Sequence, residues 1–499
     1  MKIIYLDLDS LRPDHLGCYG YHRNTSPNID SIANEGVRFT DCYASDIPCC
    51  PSRTAMMTAQ FGIHNGLICH YGSAGDVHHE GATRGFISRL SKETLPGFLR
   101  NHGHYTASIS PFPERHGAWT FNAGFMETIN TGMCGMESAE DVTPTALDWI
   151  NRNANQNNWF LHLNYWDPHM PSRVPEGVPN PFENEPLSDF YTQEEIDRQL
   201  GLIGAKMPHI VEKTYFNYNQ GNVRPRWPGA PNRAYPRCPE QIRTMGDIKK
   251  IVDEYDASIH YLDSHLGQIF DACKQAGIWD DLTIVINADH GENLGELGIY
   301  GDHRTADYIT THIPLIVRHP GGKQGHVDTG LHYHLDLAPT LAELIGQAPL
   351  EVWDGASYAP AILNGNPCGH KALVVSAGWG TAQRSVRSEN WFYTHTYHDG
   401  YNLFPEIQLY DVNQDAHQIH NIAEAHPEVC QNLESTLVSW RDQMLDTMPY
   451  AGTPDPMDVV LQQGGPIQNS VLTGLIENLE ENGRMADVQK VCDRYASEL

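Results

Sequence analysis

The sequence of 499 residues lacks several features that would assign it to a function class at once. It contains no run of about 18 apolar residues, so no membrane-spanning helix is expected. Basic residues are few, with 33 Lys and Arg against 62 Asp and Glu, which gives a formal net charge of -29. A surface this negative repels phosphates and anionic lipids, so we expect neither a nucleic acid nor a membrane as partner. Any anion that the protein handles therefore needs a local positive pocket.

The N-terminus also lacks the features of a secretory signal peptide. The segment "MKIIYLDLDS" enters a buried-type strand directly, with neither an apolar signal region nor a cleavage site. This pattern predicts a cytoplasmic protein.

Cysteine spacing excludes the common metal and redox motifs. The 11 cysteines are scattered and odd in number, and they form neither a C-x-x-C pair nor a finger-like spacing. Most are expected to be small buried core residues. Cys49 and Cys50 are treated separately below because of their neighbours.

Short apolar runs alternate with helical patterns as far as about residue 345. Such alternation predicts an α/β fold with a large mixed, mostly parallel sheet sandwiched by helices, which we assign to residues 1–368. From about residue 370 the pattern indicates neighbouring antiparallel strands and a packed helix, which predict a smaller α+β subdomain at 369–454. Residues 455–499 read as a helical tail that packs on a neighbouring element or on a second subunit, so a homo-oligomer is one expectation.

Polar residues follow several of the predicted strands at the point where each strand ends. In open α/β sheets, ligands bind at the carboxyl ends of the strands. Each residue alone has an ordinary explanation as a turn, a cap or a surface group, but their joint placement predicts a metal or catalytic cluster. Carboxylates with an imidazole suit Ca²⁺ or Mg²⁺ first, and Mn²⁺ or Zn²⁺ next. The residues at these strand ends are Asp7, Asp9, Arg115, His116, Asp167, His169, Asp289 and His290.

The segment "CCPSRTAMMTA" places Cys49 at the start of a predicted helix. Pro51 fits the first helical position, so Cys49 would lie beside free backbone N–H groups, and Arg53 adds a positive charge. The alternatives are a buried structural thiol, a strained disulfide between neighbouring cysteines, and a cysteine-phosphatase loop. The last requires an arginine six positions after the nucleophile, where this chain has Ala55. A cysteine that is converted into another group is the fourth interpretation, and the polar neighbours Ser52 and Arg53 make the structural thiol the weaker one.

At this point the sequence resembles a known family. Residues 49–53 match the C-x-P-S-R signature of type I sulfatases, in the alkaline phosphatase superfamily. Further matches, in order over about residues 3–425, are "DSLRPDHLGCYG", "YDASIHYLDSHLG", "ADHGENLGELG", "HIPLIVRHPGG" and "LYDVNQDAHQIHNIA". The resemblance implies an alkaline phosphatase-like fold and a sulfatase acting on a small sulfated substrate, such as a sulfated carbohydrate. It also implies that a formylglycine-generating maturation enzyme oxidises Cys49.

The resemblance further implies roles for individual residues. The hydrated formylglycine would attack the sulfate ester beside a divalent metal ion, with Ca²⁺ expected first and Mg²⁺ or Mn²⁺ as alternatives. Arg53 would orient the hydrate, and His169 would contact the sulfate or donate a proton to the leaving oxygen. Asp9, Asp289 and His290 match metal-ligand positions.

Two departures from the family pattern concern charged groups of the expected site. The family often has an aspartate pair where this chain reads Asp9-Ser10, and Asp7, on the same strand face, is the candidate for the missing carboxylate. A family lysine is replaced by His303, whose side chain ordinarily titrates near neutrality, so we expect a pH-sensitive activity.

A third departure is the missing K-x-H segment of the family, for which Arg115 and His116 are the candidate replacements.

Other functions remain open at this level. A phosphonate monoester or phosphodiester hydrolase would use the same machinery, and a non-catalytic anion- or metal-binding relative is the alternative from another class. A Pro-rich loop at 204–240 carries several arginines, which favour an acidic alcohol portion such as a sulfated uronic-acid-containing sugar. These arginines are Arg224, Arg226, Arg233 and Arg237.

Overall fold

The computed structural model describes residues 1–78, 80, 88–202, 239, 241–450, 452–466, 472–496 and 498–499. The strands within these residues are β1 (Lys2–Leu8), β2 (Val37–Tyr43), β3 (Asp46–Ile47), β4 (Tyr105–Ile109), β5 (Glu127–Ile129), β6 (Trp159–Tyr165), β7 (Leu282–Asn287), β8 (Asn293–Leu294), β9 (Tyr300–Asp302), β10 (His312–Arg318), β11 (His326–Tyr333), β12 (Ala372–Ala377), β13 (Ala382–Ser388), β14 (Trp391–His398) and β15 (Ile407–Asp411).

The α-helices within the same residues are α1 (Pro27–Glu35), α2 (Cys49–Thr58), α3 (Gly62–Asn65), α4 (Leu90–Glu93), α5 (Leu95–Asn101), α6 (Phe112–His116), α7 (Ala139–Asn153), α8 (Gln193–Leu200), α9 (Met245–Gln275), α10 (Tyr308–Thr311), α11 (Leu337–Leu344), α12 (Ala359–Asn364), α13 (Pro427–Asp446), α14 (Pro456–Gln462), α15 (Leu472–Glu481) and α16 (Met485–Arg494).

The large sheet has the strand order β11-β2-β10-β7-β1-β6-β4-β5 in the described part of the chain. Strand β10 pairs antiparallel with both of its neighbours, and the other adjacent strands are parallel. The central strands β6 and β7 are buried at every residue, which requires cover on both faces of the sheet. The predicted mixed, mostly parallel α/β sheet is therefore confirmed.

The smaller sheet has the order β15-β14-β13-β12-β3 and includes the predicted antiparallel C-terminal strands. Its last member, β3, pairs parallel with β12 and comes from the segment just before Cys49. The predicted helix is α13, whose Leu433 and Leu437 pack on Val386 in the sheet. The second sheet is thus joined to the part of the chain that carries the nucleophile candidate. The proposed boundaries at residues 368 and 454 stay predictions.

The described part of the C-terminal tail packs on its own chain. Asp455 accepts hydrogen bonds from Arg384 in β13 at 2.8 and 2.7 Å. Met457 and Val460 pack against Trp379. Association of the tail with a second subunit stays a prediction. None of the helices that the structure describes is long and apolar enough to cross a membrane.

Candidate active site

The strand order brings the carboxyl ends of β7, β1 and β6 together at one edge of the large sheet. Strand β1 lies between β7 and β6 and is parallel to both. Asp9 therefore follows the end of β1 beside Asp289 and His290, which follow the end of β7. His169 follows the end of the neighbouring β6. This adjacency is the geometric basis of the site.

Helix α2 begins at Cys49 and not at Pro51, so the predicted helix start was two residues too late. Pro51 still lies in the first turn, where a missing N–H removes no helical hydrogen bond. The hydroxyl of Ser52 donates to the backbone oxygen of Asp289 at 2.6 Å, which ties the first turn to the end of β7. Cys49 is thereby placed at the sheet edge, with only 1% of its surface exposed.

Arg53 lies at the centre of a buried group of carboxylates. Its Nε and Nη2 donate to the two oxygens of Asp7 at 2.6 and 3.0 Å. Its Nη1 lies 2.6 Å from Oδ2 of Asp289 and 3.0 Å from Oδ2 of Asp9. Both oxygens of Asp7 are thus engaged by Arg53, and its Oδ2 also lies 3.2 Å from Nε2 of His162. The role of Asp7 as a metal ligand stays a prediction.

Four residues could hold a metal ion beside the start of α2. One ligand atom from each of Asp9, Cys49, Asp289 and His290 lies within 4.8 Å of the others, and all four residues are buried. Burial, and then the charge of Asp289, raises the pKa of Asp9 above its ordinary value. Oδ2 of Asp9 is buried, and its 3.0 Å contact with Nη1 of Arg53 lacks the angles of a hydrogen bond. The carboxylates of Asp9 and Asp289 are buried and repel each other, and a divalent cation between them would relieve this repulsion. Together with the imidazole of His290, they form a ligand set that fits such a cation.

The side chains of this group are held in fixed orientations. Nδ1 of His290 donates to the backbone oxygen of Gly291 at 2.8 Å, which leaves Nε2 on the side of the site. This Nε2 lies 3.1 Å from both the sulfur of Cys49 and Oδ2 of Asp289. Ser10, which replaces the family's second aspartate, donates from its hydroxyl to Asp9 at 3.1 Å. Ser10 therefore supports a neighbouring carboxylate here.

Further histidines surround the sulfur of Cys49. Nε2 of His303 lies 3.9 Å from it, and the ring of His303 stacks on that of His290 with centroids 4.0 Å apart. Burial opposes ionisation of Cys49, but the charge of His290 and the nearby imidazoles of His116 and His169 hold its pKa well below the ordinary value. The surroundings of Cys49 therefore favour the charged form of its side chain despite burial.

Glu292 is a site residue that the sequence reasoning missed. Nδ1 of His303 lies 3.1 Å from its Oε1, and Glu292 is fully buried. Burial and the charge of His290 oppose protonation of His303, yet Glu292 and Cys49 together raise its pKa to about 10. The expectation that His303 titrates near neutrality is therefore wrong. The feature of the sequence that pointed to Glu292 as a site residue is its position within the "ADHGENLGELG" segment, close to Asp289 and His290.

His70 is a second residue that was missed. Its ring stacks on that of His116, with centroids 4.6 Å apart and an angle of 10° between the planes. Burial lowers the pKa of both imidazoles, and that of His116 falls to about 3. His70 lies in an irregular stretch after α3, where a lone histidine gives no signal in the sequence. The structure brings His116 close to Cys49 and groups it with Cys50 and His70. The guanidinium of Arg115 instead lies 5.0 Å from the Trp166 ring centre.

The two polar residues that follow β6 have different surroundings. His169 donates from Nδ1 to the backbone oxygen of Met170 at 2.6 Å, and its ring centre lies 5.2 Å from that of His303. Asp167 accepts a hydrogen bond from the backbone N–H of Ala139 at 2.8 Å, so it supports the start of α7. The four arginines of the 204–240 loop lie outside the described residues.

Comparisons with known proteins show the family and the fold of the chain. The sulfatase family model matches residues 2–347. An N-acetylglucosamine-6-O-sulfatase of Bacteroides thetaiotaomicron is 24% identical over 93% of this chain and 89% of its own length. A phosphonate monoester hydrolase of Agrobacterium radiobacter superposes with a TM-score of 0.66 over 94% of this chain and 100% of its own, at 20% identity. A structure in complex with its substrate D-glucosamine-2-N,6-O-disulfate superposes with a TM-score of 0.66 over 91% of this chain and 99% of its own, at 19% identity.

The two structural likenesses show the fold, and the match of the family model over most of the chain shows the family. With Cys49, Asp9, Asp289 and His290 at one edge of that fold, the chain belongs to the sulfatase family of the alkaline phosphatase superfamily, and it is a sulfuric ester hydrolase.

Proposed function

We propose that the protein removes sulfate from a sulfated carbohydrate through a formylglycine hydrate made from Cys49, with Ca²⁺ held by Asp9, Asp289 and His290. The observation that carries this proposal is the position of the Cys49 sulfur, 3.1 Å from Nε2 of His290 and within one buried group with both carboxylates. A side chain converted at this position would stand beside the cation. Oxygen-rich ligands favour Ca²⁺ or Mg²⁺ over softer metals.

The cation and the hydrate supply the chemistry that the unmodified side chains lack. A divalent cation bound here would lower the pKa of a neighbouring hydroxyl and offset the negative charge of the sulfate ester, and the hydrate would supply that hydroxyl as the nucleophile.

The side chains of the protein orient the reacting groups and move protons. Arg53 is held by Asp7, so its remaining nitrogen is directed at Asp9 and Asp289. His303, whose Nδ1 lies 3.1 Å from the buried carboxylate of Glu292, is oriented with Nε2 toward position 49, where it would bind sulfate oxygens. Nδ1 of His169 donates to a backbone carbonyl, and its imidazole lies beside Cys49, so we assign Nε2 to proton exchange with the reacting oxygens.

A sulfated carbohydrate is proposed as substrate because of the relatives. One of them is named as an N-acetylglucosamine-6-O-sulfatase, and one structural neighbour holds a disulfated glucosamine as its substrate. An acidic alcohol portion remains a further proposal, since it depends on the arginines of the 204–240 loop.

Two measurements test the proposal together. The protein is produced with a formylglycine-generating enzyme, and the peptide that contains Cys49 is examined by mass spectrometry for replacement of the thiol by an aldehyde. Defined sulfated monosaccharides and disaccharides are then incubated with the protein, and desulfated products are separated by chromatography. We expect the parent protein to contain the aldehyde at position 49 and to desulfate at least one saccharide. Cys49→Ala should show neither the aldehyde nor desulfation. Full conversion without turnover of any sulfate ester would contradict the proposed reaction.

A phosphonate monoester hydrolase is the second candidate. It is favoured by the structural neighbour of that activity, which superposes over 94% of this chain. Turnover of an aryl sulfate and of an aryl phosphonate with the same leaving group separates the two candidates. We expect kcat/KM to be higher for the sulfate, and the reverse order would favour the second candidate.

A further inference from the structure

Strand β11 contains an irregularity that brings two side chains together. In a regular strand, residues four apart are separated by about 13 Å. Oδ1 of Asp328 nevertheless lies 3.0 Å from Nε2 of His332. The pairing of β11 with β2 shifts register between Asp328 and Leu331, so the strand bulges there and the two side chains meet. Bulges of this kind often redirect a side chain toward a functional position.

Cys368 is held against the same bulge by backbone contacts. The N–H of His370 donates to the backbone oxygen of Leu331 at 2.8 Å, which fixes the segment that carries Cys368 along β11. One ligand atom from each of Asp328, His332 and Cys368 lies within 4.8 Å of the other two. A carboxylate, an imidazole and a thiol thus converge from two segments of the chain.

Gly330 allows the backbone of Cys368 to approach the bulge closely. A Cβ atom at this position would lie 3.0 Å from Nε2 of His332 and 3.1 Å from Oδ1 of Asp328, and it would collide with the backbone oxygen of Cys368. The bulge therefore tolerates only glycine at the point where the three side chains approach one another.

We propose that Asp328, His332 and Cys368 form a second metal site, which takes Zn²⁺ and is separate from the candidate active site. Thiolate, imidazole and carboxylate are the usual zinc ligands, and three protein ligands leave a fourth tetrahedral position for water. With metal–ligand bonds of about 2.0–2.3 Å, tetrahedral ligand atoms lie about 3.3–3.8 Å apart, so only small side-chain movements are needed.

Burial and access also suit a zinc site. Asp328 and His332 are 3% and 1% exposed, whereas Cys368 is partly exposed and offers a route for the ion. On binding, the S–H bond of Cys368 breaks, a Zn–S bond forms and the proton passes to solvent. The proton that Nε2 of His332 shares with Asp328 moves to solvent or to Nδ1, and the imidazole coordinates in its neutral form. The bound ion would fasten residues 366–370 to β11, an edge strand of the large sheet.

The test uses the full chain carrying Cys49→Ala, because the thiol of Cys49 could itself bind a soft metal. Zinc binding is measured by competition with a chromophoric chelator, and cobalt(II) serves as a spectroscopic probe in a solution saturated with Ca²⁺. The variants Cys368→Ser and His332→Gln are compared in this background. Cys430→Ser is the matched control, since Cys430 is also a partly exposed free thiol. Cys50→Ser reports on a separate group that Cys50 forms with His70 and His116.

We expect the parent and Cys430→Ser to bind zinc and to show a sulfur-to-cobalt charge-transfer band. Cys368→Ser should lose the charge-transfer band. Both Cys368→Ser and His332→Gln should bind zinc about 10- to 100-fold more weakly than the parent. A band that survives Cys368→Ser but disappears with Cys50→Ser would overturn the proposal, and so would equal zinc affinity in all variants. Circular dichroism spectra confirm that the compared variants are folded.

Discussion

Arg53 holds Asp7 through two parallel hydrogen bonds, from Nε to Oδ2 at 2.6 Å and from Nη2 to Oδ1 at 3.0 Å. This paired contact leaves only Nη1 of Arg53 to face Asp9 and Asp289. Asp7 therefore positions the guanidinium, which in turn faces the proposed metal ligands. Whether Asp7 positions Arg53 or binds the metal itself can be decided by measuring metal content and activity in the same variant.

Replacing Asp7 by Asn should lower activity while the protein keeps its bound metal. The amide removes the charge that orients Arg53, and disturbing the residues that support a metal site commonly costs about 10- to 100-fold in activity. Asp289→Asn is the comparison, and it should lose metal as well as activity. Metal content by mass spectrometry and kcat are measured for both. Equal loss of metal in the two variants would show that Asp7 is itself a ligand.

Arg53→Lys should reduce kcat by about 100-fold or more. Lysine carries the charge, but it cannot contact three carboxylates through a planar fork, and one oriented donor in an active site is commonly worth 10²–10³. The control is Arg318→Lys, because Arg318 pairs with Glu35 at the partly exposed end of β10. Full activity of Arg53→Lys would mean that positive charge alone suffices at this position.

His70→Ala should lower kcat by about 10- to 100-fold without preventing conversion of Cys49. The substitution removes an imidazole close to Cys49 and also the ring on which His116 stacks. Steady-state kinetics are combined with mass spectrometry of the Cys49 peptide, so that failed maturation is distinguished from impaired turnover. Unchanged kinetics in fully matured protein would exclude His70 from the reaction.

Calcium should stabilise the protein against unfolding, and a chelator should reverse this effect. An ion bound only by the folded state contributes about 2.7 kcal/mol at a concentration 100 times its Kd. The gain should be absent from Asp9→Asn, because Asp9 supplies a buried carboxylate oxygen to the proposed ion, and the contact of that oxygen with Nη1 of Arg53 lacks hydrogen-bond geometry. Denaturant unfolding with and without Ca²⁺ provides the measurement. A calcium effect of the same size in Asp9→Asn would place the ion elsewhere.

Asp455→Asn should destabilise the fold by about 3–5 kcal/mol, since it leaves the buried Arg384 without its charged partner. Burial opposes the charge on Asp455, but hydrogen bonds from Arg384 and Arg441 hold its pKa below the ordinary value. The contribution of Asp455 is therefore present above pH of about 4 and is lost as the pH falls below that value. The difference in unfolding free energy between the parent and Asp455→Asn, measured by denaturant unfolding, should therefore become smaller as the pH is lowered below about 4.

Asp458→Asn is the matched control for this prediction. Asp458 pairs with Arg441, and 43% of its side chain is exposed. Exposed ion pairs contribute about 0–1 kcal/mol, so this variant should unfold almost as the parent does. A cost at Asp455 no larger than that at Asp458 would mean that the tail is not held by the buried pair.

Much of the architecture was determined by local patterns in the sequence. Apolar runs of strand length alternate with amphipathic helical segments, and this alternation alone requires parallel crossovers and a sheet covered on both faces. The same topology explains why Asp9, Asp289 and His290 can be selected from the sequence alone. They follow buried strands, and the ends of neighbouring parallel strands meet at one edge. The position of Cys49 could be inferred from its own neighbours.

Tertiary structure alone decided which side chains complete the site. Glu292 raises the pKa of His303, His70 stacks on His116, and the carboxylate of Asp7 faces Arg53. These contacts depend on distances of a few ångströms between residues up to 46 positions apart and on the exclusion of water around them, neither of which a pattern of residue types records. Burial magnifies each electrostatic interaction, so protonation in the site follows from packing more than from residue identity.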